Sequence, residues 1–153
     1  MWGMGGRGSG MGRGWGRGMG WGMPTAASGQ MPQIPPPSPG ILRVAASTED
    51  GRGLEAVISY RFGRAPYMTI VDINESSRTV LNAQSFPNAF VSSPRGVGVA
   101  VGQWLVLIGV KRVLAPHLGP NISLILGQAG IRVDRVQPGV RVLDTLRLLG
   151  LIA

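Results

Sequence analysis

The side chains equipped for chemistry in this 153-residue sequence are few, and they gather in two short stretches. In SYRFGRAPYMTIVD, from Ser59 to Asp72, a turn carries Arg61 and Arg64; in LAPHLGPN, from Leu114 to Asn121, a second turn carries His117, the only histidine, and Asn121. Guanidinium groups grip anions through charge-assisted hydrogen bonds but cannot coordinate a metal, whereas a neutral imidazole can. One histidine, with no cysteine and no clustered carboxylates, does not complete a mononuclear metal site. A metal bound here would need the rest of its ligands from its own sulfides or from a second subunit. The same residues also have plainer uses: His117 could hydrogen-bond its turn or serve as an acid or base, and Arg64 could tie its loop to Asp72 or Glu49.

Hydrophobic periodicity supplies the frame that must position these groups. Ile41 to Ser47 is an apolar run without turn residues, hence a central strand. After the polar loop TEDGRG and an irregular stretch from Leu54 to Tyr60, strands are predicted at Tyr67–Ile73 and Arg78–Gln84, joined by NESS in an antiparallel hairpin. A loop from Ser85 to Pro94 then gives way to a helix from Arg95 or Gly96 to about Ile108. That helix is apolar on nearly every side and contains Gly98 and Gly102, so it must pack on the sheet and on something else; its exposed side is a candidate homodimer face. Next come a strand (Lys111–Ala115), a helix (Pro120–Ala129), a strand (Ile131–Val136) and a last helix (Val140–Leu149). Pro120 suits the first turn of its helix and Gly130 its end. The sum is an α/β fold, a mixed five-stranded sheet with about three helices and right-handed crossovers in its parallel part.

The combination LRVAAS, FGRAPY followed by a strand, GPN opening a helix, and AGIRV resembles the dinitrogenase iron–molybdenum cofactor biosynthesis family over roughly Ile41 to Ala153. These are small carrier-like domains related to the cofactor-binding proteins of nitrogenase assembly, so the expected role is related to nitrogen fixation. Members often have His before FGR, where this chain has Arg61. The resemblance implies a ribonuclease H-like three-layer arrangement with strand order 3-2-1-4-5 and strand two antiparallel. In that order the crevice at the carboxyl ends of strands one and four brings Ser47 beside His117, with the start of the next helix, Gly119 and Asn121, close by. Its free N–H groups could receive an anion, and Arg61 and Arg64 could overhang the same mouth. The expected cofactor is an iron–sulfur or iron–molybdenum-type cluster, with His117 its tentative metal ligand and cluster-assembly proteins as partners.

Charge agrees with an anionic guest without choosing one. The formal net charge is +8; the first 40 residues hold Arg7, Arg13 and Arg17 and no acid, so the remainder carries +5. Nucleic acid, phosphate, a metal–sulfur cluster or an acidic protein would all fit. The absence of cysteine excludes disulfides and thiolate-held zinc or iron–sulfur sites built from this chain alone. Catalytic readings find little: the first strand, ILRVAAS, brings no carboxylate to a two-metal centre, and no serine sits in a nucleophile elbow. A non-enzyme is expected, with a metal-dependent hydrolase as the remote alternative. SPRGVG, from Ser93 to Gly98, opens a helix as a phosphate cradle would, but it lacks the Lys-Ser/Thr of a P-loop.

Residues 1–23 alternate Gly with Arg, Met and Trp and form no continuous apolar face, so a disordered tail is expected there. Arg7, Arg13 and Arg17 with Trp15 and Trp21 give an alternative function, nucleic-acid binding or scaffolding through phosphate contacts and base stacking. Residues 24–40 read as a Pro-rich extended linker separating tail and domain, and residues 41–153 as the folded domain. The run from Gly96 to Val110 is short of the roughly 20 residues a bilayer span requires, and no secretory pattern opens the chain. A cytoplasmic protein without a membrane partner is expected.

Overall fold

The computed structural model describes residues 31–91 and 96–153. Its strands are β1 (Ile41–Thr48), β2 (Tyr67–Asn74), β3 (Thr79–Pro87), β4 (Arg112–Ala115) and β5 (Arg132–Arg135); its helices are α1 (Val97–Leu107), α2 (Pro120–Gln128) and α3 (Val142–Leu148). A 3-10 turn occupies Gly53–Glu55. Every predicted strand and helix is present, and the largest boundary change is in β3, which continues to Pro87. A proline without an N–H is tolerated there because β3 is an edge strand.

The sheet order is β3-β2-β1-β4-β5, as the resemblance implied. β2 runs antiparallel to both β1 and β3, while β1, β4 and β5 are mutually parallel. The hairpin between β2 and β3 is built by Asn74, whose side-chain oxygen accepts the Ser76 and Ser77 amides. Alternation along the strands sorts two cores. Ala45, Met68, Ile70, Val113 and Ala115 face one side with residues of α1 and α2. Val44, Ala46, Val71, Ile73 and Leu114 face the other with residues of α3.

A charged pair is buried between β1 and β2. Arg43 is 3% exposed and meets Asp72, its cross-strand partner, through Nε to Oδ1 at 2.7 Å and Nη2 to Oδ2 at 2.9 Å. Its Nη1 donates to the carbonyls of Pro35 and Ile108. Asp72 is therefore a structural counter-ion of Arg43. Such a fork satisfies both carboxylate oxygens, which is what makes burial of the pair tolerable.

Residues 31–38 form neither helix nor strand and 39–40 make a turn, but the segment does not stand off as a spacer. Met31 and Ile34 are each 5% exposed and belong to the α1-side core. The Trp104 indole N–H donates to the Pro32 carbonyl at 2.9 Å, and Pro36 and Pro37 lie against Gly109 just past α1. The proline content that suggested a free linker instead gives a stiff strap with few N–H groups to satisfy, suited to lying on an apolar helix.

α1 and α2 lie side by side and point the same way. A Cβ on Gly98 would meet Ile122 at 3.7 Å, and one on Gly102 would meet Ile125 at 3.1 Å, so equivalent ends are neighbours. Gly98 and Gly102, one helical turn apart, provide the flat strip that lets α2 come this close. Tight packing accounts for both.

Candidate functional site

The mouth at the carboxyl ends of β1 and β4 is assembled from three backbone segments. The first is the turn RFGR, in which the Arg64 amide bonds the Arg61 carbonyl at 3.1 Å. Gly63 has φ +93°, the conformation that the third residue of a type II turn demands and a side chain resists. The turn is fastened from two directions. Its Gly63 N–H donates to Ser47 Oγ at 3.2 Å, and buried Asn88 donates through Nδ2 to the carbonyls of Gly63 and Ala65 at 2.8 and 2.9 Å. The second and third segments are the starts of α1 and α2. A Cβ on Gly63 would lie 4.0 Å from the Gly98 Cα, and Gly98 in turn abuts Ile122, so turn and helix starts meet.

Both helices begin on glycine, Gly96 and Gly119, with no side-chain cap and no acidic residue in the first turn. The first N–H groups of a helix have no internal acceptor and carry roughly half a positive charge together. In α1 the helical ladder begins with Ala100 N–H to Gly96 O, and in α2 with Ser123 N–H to Gly119 O. Two parallel helices therefore present their positive ends at one place, with no Asp or Glu in either first turn.

Arg61 and Arg64 sit at the two ends of the RFGR turn with exposed side chains, Arg61 lying 5.7 Å from the Tyr60 ring centroid. His117 is exposed on the segment between β4 and α2, and Asn121 is exposed in the first turn of α2. Gly119 has open space where a Cβ would be. Ser47 differs from its expected place as a lining group: it is 1% exposed, and its hydroxyl donates to Met68 Sδ at 3.1 Å while accepting from Gly63. It fastens the turn instead of meeting a guest. Asn88 does not stand out in the sequence, where it reads as one more polar loop residue. Its only signal is position, an amide side chain directly after the edge-strand Pro87. Arg7, Arg13, Arg17, Trp15 and Trp21 lie outside the described residues.

The acids are largely spoken for. Asp50, in the loop after β1, is held below the usual carboxylate range. Burial opposes its ionisation, but the Arg52 side chain, the Val57 and Arg52 amides and the Arg52 charge outweigh it. Asp134 pairs with Arg112, and Arg141 bridges Glu55 and Asp144. Among the described residues no three His, Cys, Asp or Glu side chains are grouped to hold a metal ion. The described segments around the mouth carry two exposed guanidinium groups and one exposed imidazole. No helix among the described residues is long and apolar enough to cross a membrane.

Comparison with known proteins agrees with this architecture. The family model described as dinitrogenase iron-molybdenum cofactor matches residues 40–150, well over half of the chain. The chain belongs to that family. The dinitrogenase iron–molybdenum cofactor domain so defined also superposes on solved structures. The apo form of the orange protein from Desulfovibrio gigas is 27% identical with TM-score 0.59, over 72% of this chain and 90% of that one. PH0822 is 29% identical with TM-score 0.57, over 71% and 89%. TM1290, a NifB candidate from Thermotoga placed in the DUF35 family, is 28% identical with TM-score 0.56, over 71% and 87%. No curated protein matches the chain. The family match starts at residue 40, so the strap of residues 31–39 that this domain buries against α1 lies outside it.

Proposed function

We propose that this domain is a non-catalytic carrier of an anionic metal–sulfur cluster of iron–sulfur or iron–molybdenum type, or of its precursor, and that the cargo sits at the mouth over α1 and α2. The observation that carries the reading is the pair of parallel, uncapped helix starts meeting at a turn flanked by two arginines. Bringing like helix ends together is unfavourable in the empty protein, and an anion between them turns that repulsion into binding. The backbone N–H groups at Gly119 and Asn121 would cradle the cargo's sulfides or oxygens, Arg61 and Arg64 would clamp its charge, and His117 would supply a metal ligand. The cluster's own sulfides complete its coordination, which suits a chain without cysteine. Family membership supports a cofactor-related role, and cluster-assembly proteins are the partners such a carrier would meet.

Anaerobic incubation with an iron–sulfur cluster donor, followed by desalting and absorption spectroscopy, tests the reading. Wild type should retain sulfide-to-metal charge-transfer bands. His117→Ala should shift or weaken them, and the double variant Arg61→Glu, Arg64→Glu should lose them. Cluster-free spectra for wild type would end the carrier reading.

A further inference from the structure

The face of α1 and α2 away from the sheet carries an apolar groove of about 470 Å³ lined by Gln103, Val106, Leu107, Ile125, Gln128 and Ala129. Along and beside it Val106, Leu107 and Leu124 are 41%, 64% and 61% exposed. Large apolar side chains exposed together mark a docking surface. Three of them amount to far less than the roughly 800 Å² per partner that a stable association between two chains buries. The groove suits one or two bulky side chains delivered on a short tether.

The chain itself supplies that tether. The strap ends at Met31, which is pinned beside Gln103, Trp104 and Leu107, so two residues of the groove border the point where the described chain begins. Thirty residues precede it, with Trp2, Trp15 and Trp21 and five methionines among them. Trp21 lies ten positions before Met31; a random coil of that length has a root-mean-square span of roughly 17 Å or somewhat more, enough to cross a helix about 10 Å wide. Charge decides between the two reachable destinations. The segment's three arginines and lack of acids disfavour the basic mouth, while the groove lining contains no charged residue.

We infer that the segment from Trp15 to Met23 docks in cis on the α1–α2 groove, with Trp21 and the methionines around it covering Leu107 and Ile125. Tethering holds the segment at an effective concentration in the millimolar range, so a contact too weak to survive between separate molecules persists within one. Trp and Met suit the task because each delivers a large apolar surface, and Met adapts its shape. This docking is independent of the cargo reading.

The absence of cysteine allows a direct test on the full chain. Gly18→Cys carrying a nitroxide should broaden the amide resonances of Gln103, Leu107, Ile125 and Gln128 to less than half their intensity, and sparing of those resonances would overturn the proposal. Adding Trp21→Ser, or Leu107→Arg on the exposed surface of α1, should restore them at least twofold. Broadening of Gly63 and Asn121 instead would place the segment at the mouth and overturn the proposal. Equal broadening in a mixture of spin-labelled chains with isotope-labelled, label-free ones would assign the groove to a second copy and overturn it as well.

Discussion

Replacing Asp72 with Asn tests whether the Arg43 fork holds strap, sheet and helix together. The substitution keeps size and shape but strips the negative charge from a pair whose side chains are 3% and 11% exposed. Arg43 would keep its bonds to the Pro35 and Ile108 carbonyls and be left as a buried cation facing a neutral amide. Breaking a buried pair in this way costs about 3–5 kcal/mol. For a folded body of about 120 residues, unfolding entropy near 2.1 cal/mol/K per residue converts each kcal/mol into about 4 °C. The expected loss in Tm is therefore about 12–20 °C, measured by calorimetry or thermal circular dichroism. The double variant Arg43→Met, Asp72→Leu removes both charges and should recover more than half of that loss, since apolar replacement of a whole buried pair is often neutral. A fall of less than about 4 °C for Asp72→Asn, or a double variant no better than the single, would refute the argument from burial and charge.

Three further outcomes follow from the mouth and the surface ion pairs. Gly63→Ala forces a side chain into φ +93° and should cost about 1–2 kcal/mol by urea titration, with faster amide exchange at residue 63. Ser47→Ala removes the acceptor of the Gly63 amide and should cost about 1 kcal/mol by the same assay, while the Arg61 and Arg64 side chains remain intact. Asp144, held down first by its hydrogen bond to Arg141, and Asp50 both have lowered pKa values, so the stability they give is present above the ordinary carboxylate pKa near 4 and is lost as pH falls through the folded value. Midpoints of urea unfolding should hold level between about pH 5 and pH 7 as far as these groups are concerned and drop below about pH 4. Asp144→Asn should flatten that acid limb, and an unchanged limb would remove Asp144 from the account.

Much of the fold is legible in the sequence, for identifiable reasons. Strands such as Ile41–Thr48 and Tyr67–Asn74 are apolar on both faces because helices cover both sides of the sheet, and short polar turns delimit them. Pro120 and Gly130 bracket α2 within a residue or two at each end. The sheet order comes from the family resemblance, since periodicity does not say which strands are neighbours. Other features are hidden. Proline-rich composition fits both a free spacer and an extended segment laid on a helix, so the strap is ambiguous; Met31 and Ile34 are the clue. Ser47 falls at the end of β1 as expected, but alternation puts its hydroxyl beneath the RFGR turn, and only the folded chain reveals that Gly63 and Met68 consume it. The fork from Arg43 to Asp72 is likewise out of reach, because pairing depends on register and the two residues lie 29 positions apart.

The strap has a practical consequence for anyone handling this domain. Boundaries drawn where the family match begins, at residue 40, would sever Met31, Ile34 and the Pro32 carbonyl from the body they complete. Such a trimmed fragment would bare one flank of Trp104 and Ile108 to water and leave an indole N–H and a guanidinium arm seeking replacements. Poor solubility of that fragment would then be an artefact of where the scissors fell, and beginning at or before Met31 should cure it.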